Sequence, residues 1–341
     1  MNLYRCLRWF GRFKSPRLKL AGLWGLHVCG RRYIAVYWDP VLACNFRCRM
    51  CYFSDEARRR TMQGVMSEED VSLMGRALLH RALKLQIGCG AEPTLYPRLN
   101  EVVECGRRHG VPYISLTTNG RLLGYEKLCS LIESGLNELT LSVHGLCQTT
   151  YENLMPPGKF ADFCRLLEDV ARVKEEYPKF RFRVNYTVNE DNVEELSLFW
   201  QVFGRAVPHV VQVRPVQQIG QTDYCNFSLK KVKECFDTVL LPLQEECRRR
   251  GITFIGPARE NLVALEANAE DDNKEVEELI YCYASPKGAW KPDFDFRTET
   301  FESYSKRTHR AACMFRRIFA RLNKTVDTQK KTTRKMNYVV R

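Results

Sequence analysis

Cys44, Cys48 and Cys51 fall within the string CNFRCRMC, so one short loop presents three sulfur ligands. Structural zinc sites are closed by four protein ligands, usually drawn from paired C-x2-C elements. Three ligands leave a position open, which fits an iron–sulfur cluster held by thiolates better than a closed zinc site. A chain of 15 cysteines can also place three together by chance, and the residues downstream of the loop decide between these readings.

Strand-like and helix-like segments alternate from residue 33 onward. Residues 32–38 read as a strand that delivers the chain into the cysteine loop. A helix then opens at Ser67, with Asp70 completing a capping box and Val71, Met74 and Leu78 on one face. Further strands are expected at 84–88, 112–118, 138–143, 180–188 and 209–213. Helical patterns separate them: Val193, Leu196, Phe199 and Phe203 in one, and Val232, Phe236, Val239 and Leu243 in another that Pro242 should kink. Repeated βα units imply a parallel sheet, and six fit an α/β fold of the open (β/α)6, partial TIM barrel type over 33–255. Around it we expect a basic N-terminal arm (1–32), a C-terminal extension (256–320) closing the barrel mouth, and a disordered basic tail (321–341).

Alternation along the strands gives each a polar face: Gln86; Ser115 and Thr117; Thr140 and Ser142; Arg183, Asn185 and Thr187; Gln212 and Arg214. A closed eight-stranded barrel fills its interior with branched apolar side chains, and a polar lumen without a partner would leave hydrogen-bonding groups stranded. A polar ligand is therefore expected inside, with Gln86, Thr117, Gln212 and Arg214 as candidate substrate contacts.

Net charge is +13, but it is concentrated at the ends: residues 1–32 hold eight Lys or Arg and no acid, and 321–341 hold seven against Asp327. Such ends attract any polyanion, whether lipid, nucleic acid or an acidic partner, or remain solvated tails. Leu3, Tyr4, Leu7, Trp9, Phe10 and Phe13 interleave the N-terminal charges, which suits a helix lying on a membrane surface or docked on the protein itself. The apolar run 20–30 is too short to span a bilayer and lacks a small-residue cleavage site, so it is not read as a signal peptide. Cysteine-rich composition without a small-disulfide-domain pattern points to a reducing compartment and a cytoplasmic protein, peripheral at most to the membrane.

The C-x3-C-x2-C loop, with Met50 before its last cysteine and Tyr52 after it, resembles the cluster loop of the radical S-adenosylmethionine (SAM) superfamily. Further matches occur in order: GCGAEPTLYP (88–97) resembles that family's GGEP turn, TTNG (117–120) a strand end, LSVHG (141–145) its serine-bearing strand, and RVNYTV (183–188) the K-x-N strand of the molybdopterin-precursor cyclases. The resemblance implies that Cys44, Cys48 and Cys51 hold three irons of a [4Fe-4S] cluster whose fourth iron chelates SAM. It also implies that an electron from a flavodoxin or ferredoxin yields a 5′-deoxyadenosyl radical that abstracts substrate hydrogen.

Met50, Gly88, Gly90, Ala91, Glu92, Ser142, Arg183 and Asn185 are then the cofactor-binding candidates. Glu92 would accept from the SAM ammonium, and Ser142 would bind its ribose or carboxylate. Ala91 stands where the family usually has glycine. His144 stands in place of a common aspartate and is open to a ribose, a substrate or a purely local role. Two guanidinium groups exceed what one SAM carboxylate needs, which implies an anionic peptide or small-molecule substrate. No catalytic residue is assigned. The rivals are a cluster-binding sensor or interaction module on the same scaffold, and a basic nucleic-acid binder with a zinc-like loop. Cys225, Cys235, Cys247, Cys282 and Cys313 are too scattered to suggest a second cluster and read as buried apolar residues.

Overall fold

The computed structural model describes residues 15–262 and 274–319, together with the backbone of 339–340. The expected surface segment around Leu3, Tyr4, Leu7, Trp9, Phe10 and Phe13 lies outside the described residues, as does the tail from 321 apart from that short strand.

All six expected strands form: β1 Ile34–Trp38, β2 Ala82–Ile87, β3 Ile114–Thr118, β4 Glu138–Val143, β5 Arg181–Val188 and β6 Val210–Pro215. They pair in parallel and in chain order, and β7 (Thr253–Gly256) continues the series beside β6. Each strand turns its apolar set outward under helices: Val36, Leu85, Leu116, Leu139, Leu141, Phe182, Val184, Val211 and Val213 are wholly buried. Burial of this kind contributes about 1.5–3 kcal/mol per large side chain before entropy is charged. The other face curves inward. Tyr37 on β1 lies within electrostatic reach of Arg183 on β5 and Arg214 on β6, which a flat sheet would hold far apart. The sheet is a curved, unclosed parallel α/β barrel.

The described part of the C-terminal segment extends the sheet: β8 (Tyr281–Ser285) pairs in parallel beside β1, and β9 (Gly288–Ala289) returns antiparallel. At the far edge, β10 (Val339–Val340) pairs antiparallel with β7. The strand carrying the cysteine loop is thus an interior strand, flanked by β2 and β8. Helix Arg310–Phe319 then packs on helix Pro16–Val28, which takes up much of the expected basic arm.

Two local expectations change. Ser67 caps helix Glu68–Leu78 by accepting from the Asp70 N–H at 3.0 Å, but the Asp70 carboxylate goes to Arg297 at 2.8 Å, so only half of a capping box forms. Pro242 does not kink a continuous helix. A π-helical turn at Phe236–Leu240 takes the irregularity, and Pro242 sits in the first turn of helix Leu241–Arg249, where no intrahelical N–H is needed. Among the described residues, no helix is long and apolar enough to cross a membrane.

Candidate functional site

The cysteine loop and the turns after β2, β3 and β4 all leave the carboxyl ends of parallel strands, so the candidate residues gather at one rim of the barrel. The cysteine loop is fixed by backbone bonds to its surroundings: Arg47 N–H donates to Pro156 O at 2.5 Å and Arg49 N–H to Leu154 O at 3.0 Å. Within it, Cys51 N–H meets Cys48 O at 2.9 Å, and the Phe46 and Phe53 amides aim at the sulfurs of Cys44 (3.4 Å) and Cys51 (3.5 Å). Burial pushes the Cys44 thiol up to about 12, that of Cys48 well above its ordinary value and that of Cys51 upward. Charge on one sulfur raises its neighbours further, so three bare thiolates oppose one another and a cationic iron core would relieve them. Amide donors directed at sulfur are what a cluster thiolate uses. Among the described residues, no three His, Cys, Asp or Glu side chains are grouped as ligands of one metal ion. Met50 is buried in the hydrophobic core.

The turn after β2 is wedged between β1 and β3. Gly88 has φ +82°, donates to Trp38 O at 2.9 Å, and a Cβ there would lie 2.2 Å from Thr117 O. A Cβ on Gly90 would meet the Tyr52 hydroxyl at 2.6 Å, and that hydroxyl donates to Gly90 O. Ala91 is partly exposed. Glu92 is 3% exposed, and its carboxylate already accepts four bonds: Thr94 N–H (3.1 Å), Thr94 Oγ1 (2.6 Å), Thr118 Oγ1 (2.6 Å) and Asn119 N–H (2.8 Å). In this arrangement it latches the β2 turn to the end of β3. Sequence reasoning passed over Asp39, fully buried, which accepts from Cys89 N–H (2.7 Å), Gly90 N–H (2.9 Å) and Tyr283 OH (2.8 Å). Its place just before the loop, directly after an apolar strand, was the available signal.

Deeper in the barrel, Ser142, Asn185 and Gln212 stand side by side in register across β4, β5 and β6. Asn185 is 8% exposed and its buried Oδ1 has no hydrogen-bond partner, as is true of His144 Nδ1. Burial, with Arg214 adding to it, lowers His144 to about 4, so it is neutral at physiological pH. Arg183 donates to Gln212 and lies 4.0 Å from Glu138, which is fully buried and accepts from Tyr113 OH at 2.7 Å. Lys84 donates to Gln86 at 3.0 Å and is lowered to about 8 by burial and by Arg183. Thr117 is partly exposed on the neighbouring strand. Lys84 and Glu138 were missed, although each shares a strand face with a named candidate two or four residues on.

Residues 39–197 match the family model described as Radical SAM superfamily. This chain carries a radical SAM domain. A probable GTP 3′,8-cyclase of Metallosphaera sedula is 28% identical over 176 residues, 51% of this chain and 53% of that protein. One from Saccharolobus solfataricus is 27% identical over 177 residues, 51% and 55% respectively. The chain thus spans about half the length of the curated relatives it matches. In fold it is similar to Streptococcus suis SuiB bound to S-adenosylmethionine, with TM-score 0.54 and 14% identity over 77% of this chain and 61% of that one. SuiB bound to its precursor peptide SuiA gives TM-score 0.51 at 12% identity, over 77% and 60%.

Proposed function

We propose that this protein is a radical SAM enzyme that acts on an anionic peptide or small-molecule substrate. The observation that carries the reading is the meeting, at one barrel rim, of three half-buried thiols with a turn whose Gly88 has no room for a side chain, above a polar lumen holding the unpartnered Asn185 Oδ1 and His144 Nδ1. A [4Fe-4S] cluster with SAM, when bound, supplies one-electron cleavage of the sulfonium and a 5′-deoxyadenosyl radical for hydrogen abstraction.

The chain's own part is to bind, orient and exclude water. Cys44, Cys48 and Cys51 would hold iron, their amide donors favouring the thiolate form. Gly88, Gly90 and Ala91 keep the turn low enough for a ligand's backbone-like groups to approach. Ser142 and Asn185 offer a hydroxyl and a carbonyl to ribose or ammonium, and neutral His144 can donate or accept beside them. Glu92 positions the turn through its four bonds. Lys84 and Arg183 lie near Glu138, and Arg183 and Arg214 lie within electrostatic reach of Tyr37 together with Glu277; these cationic side chains are the support for an anionic substrate. The electron would come from a separate carrier such as flavodoxin or ferredoxin.

Anaerobic reconstitution with iron and sulfide, followed by dithionite and SAM, tests this directly. About four irons per chain and release of 5′-deoxyadenosine with methionine are expected. Retention of the cluster without SAM cleavage would favour the sensor reading, for which the fully engaged Glu92 carboxylate is the specific support. A colourless, zinc-loaded protein would refute both.

A further inference from the structure

Eight large apolar side chains are exposed among the described residues, and four of them sit on two helices: Leu18 (62%) and Val28 (56%) on Pro16–Val28, Phe315 (45%) and Phe319 (70%) on Arg310–Phe319. Single exposed apolar residues are ordinary, but a continuous strip is not. These helices pack on each other, and Trp24, Phe315 and Phe319 succeed one another at ring separations of 5.2 and 5.0 Å. Helix Pro16–Val28 buries Leu20 and Leu23, yet Leu18, Ala21, Gly22 and Gly25 recur at helical spacing on its other side. A Cβ at Gly22 or Gly25 would meet nothing within 4 Å.

Charge accompanies this strip. Arg17, Arg31, Arg316 and Arg317 are exposed on or beside the two helices. Both basic ends of the chain adjoin the same pair: Arg5, Arg8, Arg12 and Lys14, with no acid among them, precede the first helix, and the tail with seven bases comes after the second. An apolar strip bordered by cations on an otherwise near-neutral body matches the boundary between anionic headgroups and acyl chains. A second copy of the chain would offer the same positive charge and repel it.

We propose that this helix pair docks on an anionic lipid bilayer, with Leu18, Phe315 and Phe319 entering the headgroup–acyl boundary and the flanking Arg and Lys side chains meeting lipid phosphate. Val28 and Trp24 would border the inserted strip.

Co-sedimentation of the full-length protein with phosphatidylcholine vesicles, with and without phosphatidylglycerol, tests the assignment. Binding only to the anionic vesicles is expected, weakening as salt is raised. The double change Phe315→Ser and Phe319→Ser should reduce it roughly tenfold or more. Phe315 also packs on Trp24, so the single change Phe319→Ser, at a side chain 70% exposed, is the control: it should weaken binding while leaving the unfolding midpoint unmoved. A second variant, Phe319→Trp, should retain binding and become quenched by bromine-labelled phosphatidylglycerol. Three outcomes would overturn the proposal: no binding to either vesicle; equal binding by the Ser variant and the parent protein, which would leave the basic ends acting alone; or a parent dimer that the Ser variant dissociates while vesicles go unbound.

Discussion

Gly88→Ala probes how tightly the rim is built. At φ +82° an L side chain costs about 1–2 kcal/mol through its own backbone. The added methyl would also stand 2.2 Å from Thr117 O and 2.7 Å from Pro93 Cγ, well inside contact. Neither neighbour is a free side-chain end: Thr117 O belongs to β3, and the Pro93 ring is held in a turn whose Glu92 carries four bonds. Relief requires β2 and β3 to part at the rim, and overpacking of this sort typically costs about 1–3 kcal/mol. The expected loss is about 3–4 kcal/mol, a large share of a domain's usual margin of about 5–15 kcal/mol. Urea unfolding of the iron-free protein measures it. SAM cleavage by the reconstituted variant, corrected for iron content, reports whether the turn has lost its place above the cysteine loop. Gly22→Ala is the matched control: it is helical, with nothing within 4 Å of the new methyl, and should stabilise by about 0.5–1 kcal/mol. Loss below about 1 kcal/mol for Gly88→Ala together with unchanged SAM cleavage would refute the reasoning.

Alanine at Cys44, Cys48 or Cys51 should each abolish stable iron incorporation, seen as loss of brown colour and of the reduced-cluster paramagnetic signal. Arg214→Met should impair turnover of an anionic substrate while sparing substrate-independent SAM cleavage; equal loss of both would remove Arg214 from substrate binding. His27, His144 and His209 are each lowered to about 4, chiefly by burial. Their folded pKa values lie below the unfolded 6.5, so the stability they contribute is complete above about pH 6.5 and is lost as pH falls through about 4. Urea midpoints should therefore fall between about pH 7 and about pH 4.5, and His209→Gln, which removes one titrating ring, should flatten that dependence; an unchanged slope would exclude His209 from it.

The parallel strands were legible because burial under helices demands an apolar face and the lumen accepts a polar one; Leu139, Leu141 and Val143 against Thr140 and Ser142 show both requirements in one strand. The cysteine loop was legible because ligand spacing is local. Less local features escaped. Glu92 was identified as a site residue by position, but its four donors come from Thr94, Thr118 and Asn119, two of these residues lying beyond any window around the turn. Arg183 was named as a site residue, but its contacts with Glu138 and Gln212 were out of view because both lie on other strands. β8 was obscured by its distance of more than 240 residues from β1, its pairing partner. Pro242 misled because a π-turn can absorb an irregularity that a regular helix would express as a bend.

That late partner has a bearing on biosynthesis. β1 and its cysteines leave the ribosome well ahead of β8, yet β8 supplies Tyr283 OH, which steadies Asp39 beneath the cysteine loop, and Ala284 O, which accepts the Asp39 N–H at 2.9 Å. Until then the nascent chain exposes one unpaired edge of β1 next to oxidisable sulfur. Iron delivery should accordingly come after translation, and a truncation ending before residue 281 should accumulate as aggregated, iron-poor material.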